Sequence, residues 1–248
     1  MTVSKYASKT KKKYDPLKGM RWPGFWSYSR WSVANKCMAR YMFQCLLKLP
    51  QPESPPMLRG QKIHGKGEAY LDGSVKNVPA EYRLFSGEMK AIKKLGADPE
   101  GTFAFTKTWG ITSPTDWANC WLRIKIDAFV GGETDGTIID FKTGKPYKDT
   151  VDQSELYAVG AFQAFDNLES IDAEFWYLDS GEVVDYYYER SEFKKLKRKW
   201  ATRGRELLAA RQFPPTTNAY DCKYCPFRSS VKLANGKPGP CNDWKKAK

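Results

Sequence analysis

The 248-residue chain has a single histidine, His64. Any mechanism that needs two histidines, including those of most zinc hydrolases, is therefore excluded. No apolar run approaches the roughly 20 residues needed to span a bilayer, so a membrane protein is not expected. The basic N-terminus, MTVSKYASKTKKKYD, has no apolar stretch behind it and no small-residue cleavage site, and does not read as a secretory signal. The expected location is intracellular and cytoplasmic, the host-cell cytoplasm if the source is viral. Acidic residues are few beside basic ones: 28 against 41 leave a net charge of +13, which favours a polyanionic partner through counterion release. Charge alone leaves DNA, RNA and anionic membrane open. Cysteine is sparse too. The six, at positions 37, 45, 120, 222, 225 and 241, lack the density of a disulfide scaffold, and inside a cell they would stay reduced. Ligation is then expected for the paired ones and burial for Cys45 and Cys120. No internal repeat is evident.

What is present is enough to bury a core, and one domain with appendages is expected. Residues 1–20 read as a basic flexible arm and 21–248 as the domain. Helices are predicted over 27–47, capped by Ser27 or Ser29 and stopped by LPQPESPP, over 57–71, and over 79–95 up to Gly96. The glycines in RGQKIHGKGEAYL weaken the second helix but permit close backbone approach. Further on the period changes. TFAFTKTWGI, WLRIKIDAFV and TIIDFKTG are strand-like, and the last two are expected to form a hairpin across GGETDG. Helical character over 151–168 precedes a second hairpin, DAEFWYLDSGEVVDYYYE, turning at Ser180-Gly181, and a basic helix over 191–210 follows. The tail from residue 212 has little apolar surface, so cysteine ligation is the obvious means of ordering it. The fold class is α/β: a mixed central sheet with helices packed on it.

Alternation assigns faces to the strands. Leu122, Ile124, Ile126, Ala128 and Val130 are expected on one side of the first, with Arg123, Lys125, Asp127 and Phe129 on the other. Ile138, Asp140 and Lys142 share a side of the second. Two carboxylates and a lysine can thus project toward one spot. Phosphodiester hydrolysis uses hard divalent cations such as Mg²⁺ or Mn²⁺, which prefer carboxylate oxygen. Asp127 and Asp140 can supply it, and Lys142 can stabilise phosphate charge or orient and deprotonate water. Glu68, four residues beyond His64, either joins the metal shell or pairs with Lys66 or Lys62; the pairing is the expectation. Gln153 and Tyr157 are four apart and share a helix face. Cys222 and Cys225 form a C-x-x-C knuckle suited to one metal ion or one cluster iron.

In order along the chain, Arg59-Gly60 through His64, Asp127 in RIKIDAF, Asp140 and Lys142 in IIDFKTGK, and Gln153 with Tyr157 in QSELY make the sequence resemble the RecB-like branch of the PD-(D/E)XK superfamily. That branch includes nuclease domains of bacterial recombination complexes, some with iron-sulfur clusters, and a CRISPR-associated exonuclease. The resemblance implies a restriction-endonuclease-like core, a metal shell of His64, Asp127, Asp140 and the main-chain carbonyl of Phe141, and positioning of nucleic acid and water by Gln153 and Tyr157. Some members hold a [4Fe-4S] cluster through one cysteine before the core, in SxSRLxxxxxCPxxY, and three after it. SYSRWSVANKCMARY matches with Cys37; Cys222, Cys225 and Cys241 follow. The implied staple joins residues 21–50 to 211–248. Met38 stands where the family has proline, the interval from Cys225 to Cys241 is long, and a Cys₄ Zn²⁺ site would use the same residues. The expected activity is metal-dependent cleavage of DNA, by resemblance exonucleolytic, with recombination or replication proteins as candidate partners. A non-catalytic nucleic-acid binder and an RNA-processing nuclease are the alternatives.

Overall fold

The computed structural model describes residues 22–146 and 150–246. The basic arm expected over 1–20 lies outside them. Among the described residues no helix is long and apolar enough to cross a membrane.

Ser27 caps the first helix as expected, accepting from the Arg30 amide. The single helix predicted over 27–47 is nevertheless broken. Cys37 is extended (φ −162°, ψ 114°) and separates α1 (Tyr28–Lys36) from α2 (Met38–Tyr41), which runs into a π-helical turn, Met42–Leu46. α3 (Pro55–Leu71) opens with Ser54 as cap and two prolines in its first turn, where the missing N–H costs nothing. Gly67 on this helix lies under the ring of Tyr82, whose hydroxyl donates to the Ile63 carbonyl; a Cβ there would come within 2.2 Å of that hydroxyl. The helix predicted over 79–95 divides into a 3₁₀ turn, Ala80–Phe85, and α4 (Ser86–Lys94), and Gly96 then turns the chain with φ +76°.

Five strands form the main sheet in the order β1 (Asp98–Pro99), β4 (Ala128–Gly131), β5 (Asp135–Lys142), β6 (Ser170–Tyr177), β7 (Glu182–Glu189). β5 and β6 are parallel and the other pairs antiparallel, so the sheet is mixed. The β4–β5 and β6–β7 hairpins fall where the turn residues placed them. The predicted strand WLRIKIDAFV does not run through. Its first part, β3 (Leu122–Lys125), pairs with β2 (Thr102–Phe105) in a separate two-stranded sheet, and β4 resumes in the main sheet after a break at Ile126-Asp127.

The break also corrects the face assignment. Leu122, Ile124 and Ile126 join the core cluster beneath α5 (Val151–Ala164) and α6 (Arg190–Ala209), whereas Ala128 and Val130 pack with α3 and α4 on the opposite side. Phe129 joins the first cluster instead of opposing it. Along unbroken β5 alternation holds: Ile138 faces α5, and Ile139 and Phe141 face α3 and α4. α5, the crossover between parallel β5 and β6, is buried on nearly every side, so its polar side chains are enclosed. α6 crosses Trp26 at Gly204, where any Cβ would meet the indole at 2.3 Å. A short helix, α7 (Ala219–Lys223), begins the loop-rich tail.

Candidate active site

The predicted residues arrive from four elements. α3 carries His64 into the cleft, and Arg59, one turn earlier, anchors the helix by a two-pronged pair with Asp179 at 2.5 and 3.0 Å. Asp179 also accepts from the Gly144 amide, so the same carboxylate ties the start of α3 to the exit of β5. Asp127 occupies the strand break and uses both oxygens. Oδ2 accepts from the Phe141 amide at 2.7 Å, and Oδ1 lies 2.9 Å from His64 Nδ1. An imidazole engaged at Nδ1 keeps Nε2 for another partner. Burial alone would lower the His64 pKa, but the hydrogen bond to Asp127 and the charges of Asp127 and Asp140 hold it above its ordinary value. Burial and the neighbouring Asp140 charge push the Asp127 carboxyl up.

Asp140, on β5, is 6% exposed. Its Oδ1 accepts from the Tyr157 hydroxyl at 2.6 Å and from Gln153 Nε2 at 3.4 Å. Its Oδ2 is buried with no directed hydrogen bond and meets the Lys142 ammonium as an ion pair. Gln153 Oε1 accepts from Lys142 Nζ at 3.2 Å, and its Nε2 lies 2.5 Å from the Tyr157 oxygen. Gln153 and Tyr157 therefore brace the Asp140–Lys142 ion pair, Gln153 touching both partners and Tyr157 the carboxylate. Burial, reinforced by the Asp140 charge, keeps the Tyr157 phenol far above its ordinary value, so it remains a donor.

Glu100 completes the cleft, and nothing in the sequence pointed to it. It follows β1 in DPEG, which reads as a turn. Its amide donates to the Asp127 carbonyl at 2.9 Å, which draws its carboxylate to the site, where it pairs with Lys125. One donor atom each from His64, Glu100 and Asp127 lies within 4.8 Å of the others. Glu68 lines the same cleft. Its expected partner Lys66 is instead bound to Glu81 at 2.5 Å.

An imidazole, two carboxylates and, beyond them, a buried carboxylate oxygen without a hydrogen bond suit a hard divalent cation. Two ammonium groups, Lys125 on Glu100 and Lys142 on Asp140, supply positive charge to the acidic cluster.

Residues 66–230 match the PD-(D/E)XK nuclease superfamily. The chain belongs to that superfamily. As a PD-(D/E)XK nuclease it is a phosphodiester hydrolase of a family that works with divalent metal, and its substrate is nucleic acid. The match begins two residues after His64 and ends before Cys241, so the placement of those two rests on geometry. Two solved structures are similar: SSO0001, with 11% identity over 85% of this chain and 87% of that one and a TM-score of 0.42, and a protein from Eubacterium rectale described as a "putative exonuclease", with 12% identity over 78% and 84% and a TM-score of 0.47. No curated protein matches the chain.

Cys37, Cys222, Cys225 and Cys241 all line one small pocket between α2 and the tail. The Thr216 amide lies 3.5 Å from Cys37 Sγ, and Cys222 Sγ lies 3.8 Å from the Thr216 carbonyl. Cys241 is set by backbone pairing with Phe227 and Ser229, and Gly239 lets the chain pass where a Cβ would strike the Phe227 and Arg228 carbonyls at 2.4 Å. Cys120 is buried, as expected, whereas Cys45 is partly exposed.

Proposed function

We propose that the protein is a Mg²⁺- or Mn²⁺-dependent deoxyribonuclease of the RecB-like type, acting as an exonuclease. The observation that carries this reading is the convergence of His64, Glu100 and Asp127 beside Asp140, whose Oδ2 is buried without a hydrogen bond. His64, Glu100, Asp127, Asp140 and, by family resemblance, the Phe141 carbonyl would hold the metal, which when bound neutralises phosphate charge and activates water. Lys142 is the cation of the chain itself at the reaction centre. Its ammonium, held by Gln153 and backed by the Phe175 ring at 5.3 Å, stabilises the negative charge that develops on the scissile phosphate. Tyr157 occupies Oδ1 of Asp140, so Oδ2, which pairs with Lys142, is the oxygen that would serve the metal.

The test is digestion of labelled linear and circular DNA with Mg²⁺ by the wild type and Lys142→Ala. The reading requires cleavage by the wild type, loss of cleavage with retained binding in the variant, and preference for linear DNA. Binding without cleavage by either protein would sink it.

The cysteine cavity supports a [4Fe-4S] cluster ligated by Cys37, Cys222, Cys225 and Cys241. A tetrahedral zinc site would use the same four residues. Protein purified without oxygen should be brown, with iron and acid-labile sulfide; colourless protein with stoichiometric zinc would remove the cluster and leave the nuclease reading intact.

A further inference from the structure

A groove lined by Phe25, Tyr28, Arg123 and Lys125 opens onto Gln153 and Tyr157, the side chains that hold Asp140. Packed beside two of these residues, Phe25 and Arg123, is Trp117, which is 65% exposed. The Trp117 and Phe25 rings are 5.7 Å apart, and the Arg123 guanidinium lies 4.6 Å from the first and 5.2 Å from the second. Arg30 covers Phe25 at 3.9 Å. Ring faces and cations thus alternate along a path that ends at the reaction centre.

The loop that presents Trp117 is ordered. Asp116 accepts from Thr112 and Asn119 side chains at 2.9 Å and from the Ala118 and Asn119 amides, bonds that hold its carboxyl below the ordinary range. A ring already fixed in place loses little freedom when something stacks on it. Bases in a duplex cover one another's faces, whereas an unpaired strand offers each face to an aromatic side chain and its phosphates to lysine and arginine.

We propose that this groove binds an unpaired polynucleotide strand, with bases stacking on Trp117 and Phe25 and the backbone running along Arg123 and Lys125 to Asp140. The proposal deepens the nuclease reading, and rests on it for what the strand meets at the inner end. It makes single-stranded nucleic acid, including the frayed end of a duplex, the preferred substrate class.

Fluorescence anisotropy with the full chain in EDTA tests it, using a labelled oligodeoxyuridylate, an oligouridylate of equal length and a blunt hairpin duplex. Trp117→Ala should weaken binding of the preferred unpaired strand about tenfold, Trp117→Phe should restore most of it, and duplex binding should change little. Preference between the two unpaired strands identifies the sugar. Wild-type affinity in Trp117→Ala, or an equal loss on the duplex, overturns the groove. Because Trp117 is largely exposed, thermal unfolding should be unchanged, and a lowered Tm would count as overturning evidence. The two readings fail separately. DNA cleavage by the wild type with Trp117-independent binding removes only the groove, and Trp117-dependent binding without cleavage by any form removes only the nuclease.

Discussion

At Asp140 a single carboxylate is divided between two tasks, Oδ1 held by Tyr157 and Gln153 and Oδ2 turned toward Lys142 and the cleft. Fixing one oxygen orients the other without using it. Glu100 is at the opposite side of the cluster and is 17% exposed at its side chain. Glu100→Gln keeps the shape and removes one anionic ligand. Calorimetric titration with Mn²⁺ should then show affinity at least about tenfold weaker, and unchanged affinity would exclude Glu100 from the shell. The residue identities at this site were readable to different depths. Asp140 and Lys142 followed from alternation along one uninterrupted strand. Glu100 did not, because a backbone hydrogen bond to the Asp127 carbonyl brings it in from a turn with no periodicity of its own.

At the scale of elements, α3 depends on a missing side chain. Gly67→Ala would place a Cβ within 2.2 Å of the Tyr82 hydroxyl and 3.2 Å of the Phe141 ring. Overpacking of this kind costs about 1–3 kcal/mol, and the better helix propensity of alanine, worth about 1 kcal/mol, offsets only part of it. A lower Tm together with weaker metal binding is expected, since His64 rides on the displaced helix. α5 and α6 are joined by Asp152, which accepts from Arg203 at 2.6 Å and Lys199 at 3.3 Å. Burial alone would raise its carboxyl, but the two cations outweigh burial and hold it below the ordinary 3.8. A depressed carboxyl contributes stability above its unfolded value and loses it as pH falls through the folded one. Thermal unfolding of Asp152→Asn should therefore show a Tm deficit at pH 7 that closes below pH 3.8; a deficit independent of pH would mean that packing, not charge, joins the helices. Element positions were largely legible from caps, glycines and turn residues. The breaks at Cys37 and Asp127 were not, because each serves a partner distant in sequence.

For the whole molecule, a charge of +13 on a nuclease fold predicts binding of nucleic acid that weakens steeply with salt. On a log–log plot the slope should be near −0.7 per phosphate contacted for an unpaired strand, against about −0.9 for a duplex. A flat dependence would show that the basic surface takes no part. The tail depends on a different kind of long-range tie. It contributes Phe227 and Leu233 to the buried set but little other apolar surface, and three of the cavity-lining cysteines lie on it. Cys225→Ser should leave the main sheet folded and make the tail beyond residue 211 the first site of proteolysis.

Composition, alternation and the order of short motifs are local properties, and from them the α/β class, the two hairpins, the positions of the helices and the candidacy of Asp127, Asp140, Lys142 and His64 could be read. Three-dimensional packing settled the rest. It split one apparent strand between two sheets, brought Glu100 to the cleft and set Trp117, Phe25 and Arg123 against one another. Those features depend on contacts between residues far apart in the chain, whose energies leave no periodic trace in the order of amino acids.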